Sequence, residues 1–226
     1  MSRVFVPTKK PEEWRQLLAD PEKHWKKGYS AYELAYRWQE SEGFPEEVTK
    51  ALSDSSIPKI TNLEMLFGFP EHKVYFPPSR GRPSQNDLFV MARTQNSELV
   101  TIMVEGKVSE TFGPTINDWL KDKSPGKQER YEFIKSKLYI TTNINQELRY
   151  QLFHRLLSVV LEMERYNSAA GIMLIHSFSN SNEWFEDYAK FISLFSVTPN
   201  IGKINKILDI SGKPIYSGWV HGDKKS

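Results

Sequence analysis

The chain has 226 residues, and its hydrophobic fraction of 39% and aromatic fraction of 13% are sufficient for one sizeable core. The formal net charge of +2 excludes the strongly basic composition of many nucleic-acid-binding proteins, and the apolar content excludes a disordered chain. Because the chain contains no cysteine, disulfides, thiolate zinc sites and cysteine nucleophiles are excluded. A metal site would use oxygen or imidazole ligands, which favours Mg²⁺ or Mn²⁺ over zinc.

The N-terminal part is predicted to be helical. Residues 1–28 are charged and contain two tryptophans, so we expect a helical arm that packs on the rest of the chain. A helix is predicted from Ser30, because Ser30 and Glu33 have the spacing of a capping box and an apolar stripe follows. A second short helix is predicted over 45–52, with Pro45 in its first turn.

The central part is predicted to form strands. Residues 63–69 are apolar but ambiguous between helix and strand, whereas 72–76 favour a strand that the next two prolines end. The clearest strands are 87–93 and 98–108, which the turn residues 94–97 connect. The second of these strands is apolar on both faces, as expected for a central strand that is covered on both sides.

The C-terminal part is predicted to alternate between helix and strand. Helices are expected over 128–138 and 145–166, a buried strand over 169–178, and a further helix that a capping box of Asn180 and Glu183 begins. Residues 203–220 are typical of a hairpin.

Together these elements indicate an α/β fold with a mixed β-sheet flanked by helices on both faces. We expect one domain over 1–226, divided into an N-terminal helical arm (1–28), a core (29–195) and a C-terminal hairpin extension (196–226). The N-terminal sequence lacks the apolar stretch of a signal peptide, and no apolar run approaches about 18 residues. We therefore expect a cytoplasmic protein with no membrane partner.

Two carboxylates and a lysine are predicted to meet at one end of the sheet. Glu105 and Lys107 lie two residues apart on a strand, so their side chains project from the same face. If the two central strands pair as a hairpin, Asp87 at the start of the first lies beside Glu105 at the end of the second. Paired carboxylates can hold Mg²⁺, and a nearby lysine can orient a water or stabilise the transition state of phosphodiester hydrolysis.

This pattern resembles the PD-(D/E)XK nuclease superfamily, which has the restriction-endonuclease-like fold. The resemblance rests on Asp87 and Glu105-Gly106-Lys107, in the correct order on consecutive strands, and on the helix–strand unit 146–178. It implies that Asp87, Glu105 and the Gly106 carbonyl bind Mg²⁺ or Mn²⁺, and that Lys107 is catalytic with them. It also implies that nucleic acid is the partner, with DNA expected. The wider pattern is similar to an uncharacterised bacterial branch of the superfamily.

Further residues carry weaker expectations. Several superfamily members have a Gln-x-x-x-Tyr pair on the following helix; here Gln151 matches, and Arg155 replaces the tyrosine. Both are candidate substrate-binding residues, as are Arg80 and Arg82 in the loop before Asp87. Glu33 is a candidate for the acidic residue that many members carry on the first core helix, although simple helix capping explains it as well.

Three functional hypotheses remain open from the sequence. The first is a metal-dependent nuclease that uses Asp87, Glu105 and Lys107. The second is a non-catalytic nucleic-acid or protein-binding module on a decayed nuclease fold, which the near-neutral charge and the absent tyrosine favour. The third is a hydrolase or transferase that acts on another phosphate-bearing substrate. A homo-oligomer is compatible with each.

Overall fold

The computed structural model describes residues 8–78 and 81–225, which form a six-stranded mixed sheet with helices on both faces. The strands are β1 (Glu64–Val74), β2 (Ser84–Arg93), β3 (Leu99–Lys107), β4 (Ala170–Ser177), β5 (Ile204–Ile210) and β6 (Lys213–His221). The α-helices are α1 (Pro21–His24), α2 (Ser30–Gln39), α3 (Glu46–Asp54), α4 (Ile116–Leu120), α5 (Pro125–Lys137), α6 (Tyr150–Arg165) and α7 (Phe185–Ile192). The 3₁₀-helices are Pro11–Leu17 and Ser193–Phe195.

The sheet combines an antiparallel and a parallel part. Its strand order is β1-β2-β3-β4-β6-β5. Strands β1, β2 and β3 are antiparallel neighbours, β4 pairs in parallel with both β3 and β6, and β5 is antiparallel to β6. The predicted mixed sheet flanked by helices is therefore confirmed, and β3 is a central strand, as its apolar sequence indicates.

The two faces of the sheet bury separate apolar clusters. One cluster joins the sheet to α2 and α3, and includes Leu34, Trp38, Ile102 and Val104. The other joins the sheet to α5, α6 and α7, and includes Met103 and the α6 residues Leu152, Leu156 and Val160. Side chains from neighbouring β3 positions thus enter opposite clusters, as the period of two requires.

The first strand is longer than predicted. Residues that the sequence divides into an ambiguous segment and a short strand form one strand, Glu64–Val74, in which Pro70 is an internal residue. A proline is tolerated there because β1 is at the edge of the sheet, where one side of the strand needs no backbone hydrogen bonds. Glu71, which follows it, has a positive φ of 55°.

Neither predicted capping box forms. Helix α2 begins at Ser30, whose backbone N–H donates to Glu110 Oε1 at 2.8 Å, while Glu33 accepts from the N–H of Gly28 at 2.8 Å. At the start of α7, the Glu183 N–H donates to Ser179 Oγ at 3.1 Å. Both predictions were wrong because other partners satisfy these backbone groups.

The C-terminal hairpin is part of the main sheet. Strand β6 pairs with β4 along seven positions, from Gly171↔Ile215 to Ser177↔His221. The hairpin turns at Ser211 and Gly212, both at positive φ (52° and 77°), as its turn residues indicate. In the described part of the chain, no helix is long and apolar enough to cross a membrane.

Candidate active site

Asp87 and Glu105 lie side by side on neighbouring strands. Leu88 pairs with Val104 in the β2–β3 ladder, so the next position places Asp87 opposite Glu105 on one face of the sheet. The Gly106 N–H donates to Asp87 Oδ2 at 2.8 Å, which ties the two strand ends together. The predicted proximity of the two carboxylates is therefore confirmed.

A third carboxylate extends this arrangement onto the edge strand. The residues on either side of Glu71 pair with the residues on either side of Asp87, so Glu71 lies opposite Asp87. Glu71 Oε2 accepts from Gln85 Nε2 at 2.5 Å. Glu71, Asp87 and Glu105 thus form a line across three adjacent strands, here named the carboxylate row.

Lys107 lies beside the row, on the face predicted for it. Its Nζ is 2.6 Å from Glu105 Oε1, and both residues are buried, with 4% and 2% exposure. Gln151 of α6 donates from Nε2 to the same Glu105 oxygen at 2.7 Å, and its Oε1 lies 3.4 Å from Lys107 Nζ. Gln151, a candidate substrate-binding residue from the sequence, therefore faces the carboxylates.

Arg155, one turn after Gln151, is the most connected cation of the site. Its Nε donates to Glu105 Oε2, and its Nη2 lies 3.8 Å from Asp87 Oδ1. Its Nη1 donates to Ser84 Oγ at 3.1 Å. Arg155 therefore occupies the position of the absent tyrosine and contacts two members of the carboxylate row.

The environment shifts the pKa values of the three carboxylates of the row in different directions. Burial acts to raise the pKa of Glu105, but the charges of Arg155 and Lys107 outweigh it, so its pKa is lowered. Burial and the Glu105 charge raise the pKa of Asp87 to about 7. Burial and the Asp87 charge raise the pKa of Glu71 to about 8. At neutral pH Glu71 is therefore mostly protonated and Asp87 about half protonated, so a cation that binds at the row must displace protons from these carboxylates.

Gly106 lies where the first core helix packs against this end of the sheet. A Cβ atom at Gly106 would lie 3.4 Å from Asp87 Oδ2, Leu34 Cδ2 and Ser30 Cβ, which is a short but ordinary contact distance. The position is therefore closely packed by both α2 and Asp87.

Comparison with protein families gives one match. Residues 7–224 match the family described as Domain of unknown function (DUF6946). The chain belongs to this family. No curated protein and no solved structure matches the DUF6946 chain. Inferences about its function therefore rest on its own residues.

Two other predicted residues of the DUF6946 chain lie apart from the row. The Glu33 oxygens accept from the backbone N–H groups of Gly28 (2.8 Å) and Lys225 (2.6 Å), so the structure does not bring Glu33 to the proposed metal ligands. Arg82 lines a neighbouring cavity, and its carbonyl accepts from Arg130 Nη1 at 2.6 Å. Arg80 lies outside the described residues.

Sequence reasoning missed Glu71 and the pair formed by Ser84 and His154. Ser84 Oγ is 2.8 Å from His154 Nδ1, and it also accepts from Arg155. The sequence does contain a signal for Glu71. If β1 and β2 are paired as an antiparallel hairpin, the register places Glu71 opposite Asp87. The preceding proline obscured the strand to which it belongs.

The donor set of the row can be compared with the needs of a divalent cation. Within residues 8–78 and 81–225, no three His, Asp or Glu side chains are arranged as a metal site. The set that the resemblance implies needs only two side chains, Asp87 and Glu105, together with the Gly106 carbonyl. These are all oxygen ligands, which Mg²⁺ prefers.

Proposed function

We propose that this DUF6946 chain is a metal-dependent nuclease of the PD-(D/E)XK type, which hydrolyses phosphodiester bonds in nucleic acid, with DNA as the substrate. The observation that carries the proposal is the convergence of Asp87, Glu105 and Lys107 on one face of the sheet, with Gln151 above them. The proposal places the protein in the cytoplasm and gives it Mg²⁺ or Mn²⁺ as cofactor.

Asp87, Glu105 and the Gly106 carbonyl would hold the metal ion. When bound, such an ion neutralises the phosphate and lowers the pKa of a coordinated water. Glu105 Oε1 accepts from both Lys107 and Gln151, whereas Oε2 accepts from Arg155, so a metal would coordinate Oε2 beside Arg155 or displace one of these three partners. Asp87 is better placed, because its Oδ1 has only the 3.8 Å contact with Arg155.

The side chains beside the row would act on the substrate. Lys107 extends between Glu105 and the Phe112 ring, 4.7 Å from the ring centre, and this holds its ammonium group in a fixed position. A positive charge fixed there can stabilise the developing charge of a phosphate or orient the attacking water. Arg155 and Gln151 supply further donors from α6.

A specific observation favours the second candidate, a non-catalytic binding module on the same fold. Glu105 is paired with Arg155 and Lys107, and buried pairs of this kind are also found where they only stabilise the fold. In that case Lys107 and Arg155 would only neutralise the buried charge of Glu105 and would have no role in catalysis.

A plasmid-cleavage assay separates the two candidates. We expect the wild-type protein to nick plasmid DNA with Mg²⁺ or Mn²⁺ and to lose this activity in EDTA. Asp87→Asn should abolish nicking, whereas Glu132→Gln, which removes an exposed carboxylate that is paired only with Lys135, should retain it. Absence of nicking with both metals, together with retained DNA binding in a gel-shift assay, would favour the binding module.

A further inference from the structure

A cavity of about 450 Å³ lies beside the carboxylate row, between the loop before β2, the start of α5 and the start of α6. Ser84 forms part of its wall, and Arg155 joins that wall to Glu105. The described residues that line the cavity include Arg82, Lys127 and Arg130 but no aspartate or glutamate. Its lining is therefore cationic, whereas the row is acidic.

The N-terminus of α5 opens into this cavity. This helix has 13 residues, the side chain of its N-cap Ser124 makes no capping hydrogen bond, and its first turn contains no acidic residue. The first residue of α5 is Pro125, which has no N–H, and the Lys127 N–H donates to the Ser124 carbonyl at 3.0 Å. Among the described residues the free N–H of the first turn is therefore that of Gly126, at the positive end of the helix dipole. Gly126 lines the cavity, and a Cβ there would meet only Pro78 Cγ at 3.6 Å and Ser124 Oγ at 4.0 Å. A ligand can therefore approach the backbone closely.

Two buried polar atoms at the cavity, the Tyr150 hydroxyl and Arg130 Nη2, have no hydrogen bond of normal geometry in the described part of the chain. Arg130 lies close to the Tyr150 hydroxyl, since its charge and its N–H groups both act to lower the Tyr150 pKa, and its Nη1 donates to the Arg82 carbonyl. Burial outweighs Arg130 and raises the pKa of Tyr150 to about 12, so its hydroxyl stays protonated. The Tyr150 side chain is almost fully buried, with 8% exposure, and its O–H proton has no acceptor among the described residues, whereas buried donors normally have one.

We propose that this cavity binds the phosphate group of a phosphomonoester. The Tyr150 hydroxyl, the Arg130 guanidinium and the Gly126 N–H would donate to the phosphate oxygens. The volume of the cavity suits a small ligand with a phosphate at one end, and the stacked pair of Trp119 and Tyr150, 3.6 Å apart, forms a flat apolar wall for its organic part. The proposal does not depend on metal binding at the carboxylate row.

Calorimetric titration in EDTA tests the site with three probes: inorganic phosphate, AMP and adenosine. We expect phosphate and AMP to bind and adenosine to bind at least tenfold more weakly than AMP. Arg130→Gln and Tyr150→Phe should each weaken phosphate binding, by about tenfold or more for the arginine, because a hydrogen bond to a charged group contributes about 1.5–3 kcal/mol. Lys135→Gln removes a charge from the same helix without touching the cavity and should bind phosphate like the wild type.

Several results would overturn the proposal. One is absence of phosphate and AMP binding to the wild-type protein at millimolar concentration. Another is unchanged binding in both Arg130→Gln and Tyr150→Phe, with folding confirmed by circular dichroism. If Arg130→Gln does not fold, Tyr150→Phe decides alone, since it removes one hydroxyl. Phosphate binding without any plasmid cleavage would leave this site standing and would count only against the nuclease.

Discussion

The proposed catalytic role of Lys107 can be tested separately from metal binding by a single substitution. It donates to Glu105 Oε1, and no metal-ligand role is proposed for it. We expect Lys107→Ala to abolish plasmid cleavage, since a positioned acid–base group contributes about 10²–10⁴-fold to a rate. Affinity for Mn²⁺ should hold or rise, because the substitution removes a positive charge and one of the two donors to Glu105 Oε1. Isothermal titration with Mn²⁺ beside the nicking assay measures both.

Lys135→Ala provides the matched control, since it removes a lysine that is paired with an exposed glutamate on α5. It should leave both cleavage and Mn²⁺ affinity unchanged. Cleavage at the wild-type rate by Lys107→Ala would show that Lys107 only neutralises Glu105.

The raised pKa of Asp87 predicts a pH-dependent contribution to stability. The pKa rises from its ordinary value of 3.8 to about 7 on folding, mainly because of burial, so the native state binds the proton more tightly. The stabilisation is fully present below pH 4 and is lost as the pH rises through 7. Asp87→Asn keeps an oxygen for the Gly106 N–H but cannot ionise. Its free energy of unfolding relative to wild type should therefore increase between pH 4 and pH 8.

Urea denaturation in EDTA at several pH values measures this difference. A difference that stays constant from pH 4 to pH 8 would contradict the prediction, since it would mean that Asp87 ionises equally easily in the folded and unfolded states.

The site could be predicted from the sequence only where simple geometry positions it. The period of two places Glu105 and Lys107 together, and a hairpin places Asp87 opposite Glu105. Glu71 has the same geometric basis, but its strand contains a proline and Glu71 itself has a positive φ, both unusual within a strand. The hydrogen bond between Ser84 and His154 joins residues 70 positions apart, and no local pattern indicates it.

Helix α6 and strand β3 are coupled by the pair of Arg155 and Glu105, with 6% and 2% exposure. Removal of one member of a buried pair leaves an uncompensated charge, which costs about 3–5 kcal/mol. We expect Arg155→Met and Glu105→Gln each to destabilise the protein strongly, and the double variant to be much less destabilised than the sum. A double-mutant cycle from urea denaturation gives the coupling energy, and additive effects would contradict it.

Local patterns predicted the existence of the main helices better than their ends. Helix α6 begins at Tyr150, five residues after the predicted start, because the segment before it pairs elsewhere: the Ile116 N–H donates to the Leu148 carbonyl at 2.9 Å. The short helix α4, which begins at Ile116, lies between the strand predicted over 98–108 and the helix predicted over 128–138, where no element is predicted from the sequence. Its N-cap Thr115 accepts from the Asp118 N–H, a signal that the sequence contains.

The sheet is continuous from β1 to β5, so its C-terminal strands cannot be removed without exposing β4. Trp219 of β6 is fully buried, and its ring contacts Phe185, Tyr188 and Phe112. We expect Trp219→Ala to lower the free energy of unfolding by about 3–5 kcal/mol. Tyr139→Ala, at a side chain with 60% exposure, should change it by less than about 0.5 kcal/mol. Thermal denaturation of both variants provides the comparison.

The same continuity predicts that a chain shortened to residues 1–199 does not fold, although the sequence indicates a core that ends at 195. Residues 203–220 were recognisable as a hairpin, but pairing between β6 and β4 joins segments about 40 residues apart, and the sequence gives no register for it. A cooperative thermal transition in the shortened chain would contradict this expectation.

The three contacts of Arg155 have a consequence for how two ligands would influence each other. One guanidinium serves Glu105 and Asp87 at the carboxylate row and Ser84 in the cavity wall. If a divalent cation at the row displaces Arg155, rather than Lys107 or Gln151, from Glu105, the Arg155 charge becomes available to an anion in the cavity. Coupling between two binding equilibria is reciprocal, so phosphate must then strengthen Mg²⁺ binding by the same factor by which Mg²⁺ strengthens phosphate binding. Such cooperativity would make Arg155 the switch through which each site senses occupancy of the other.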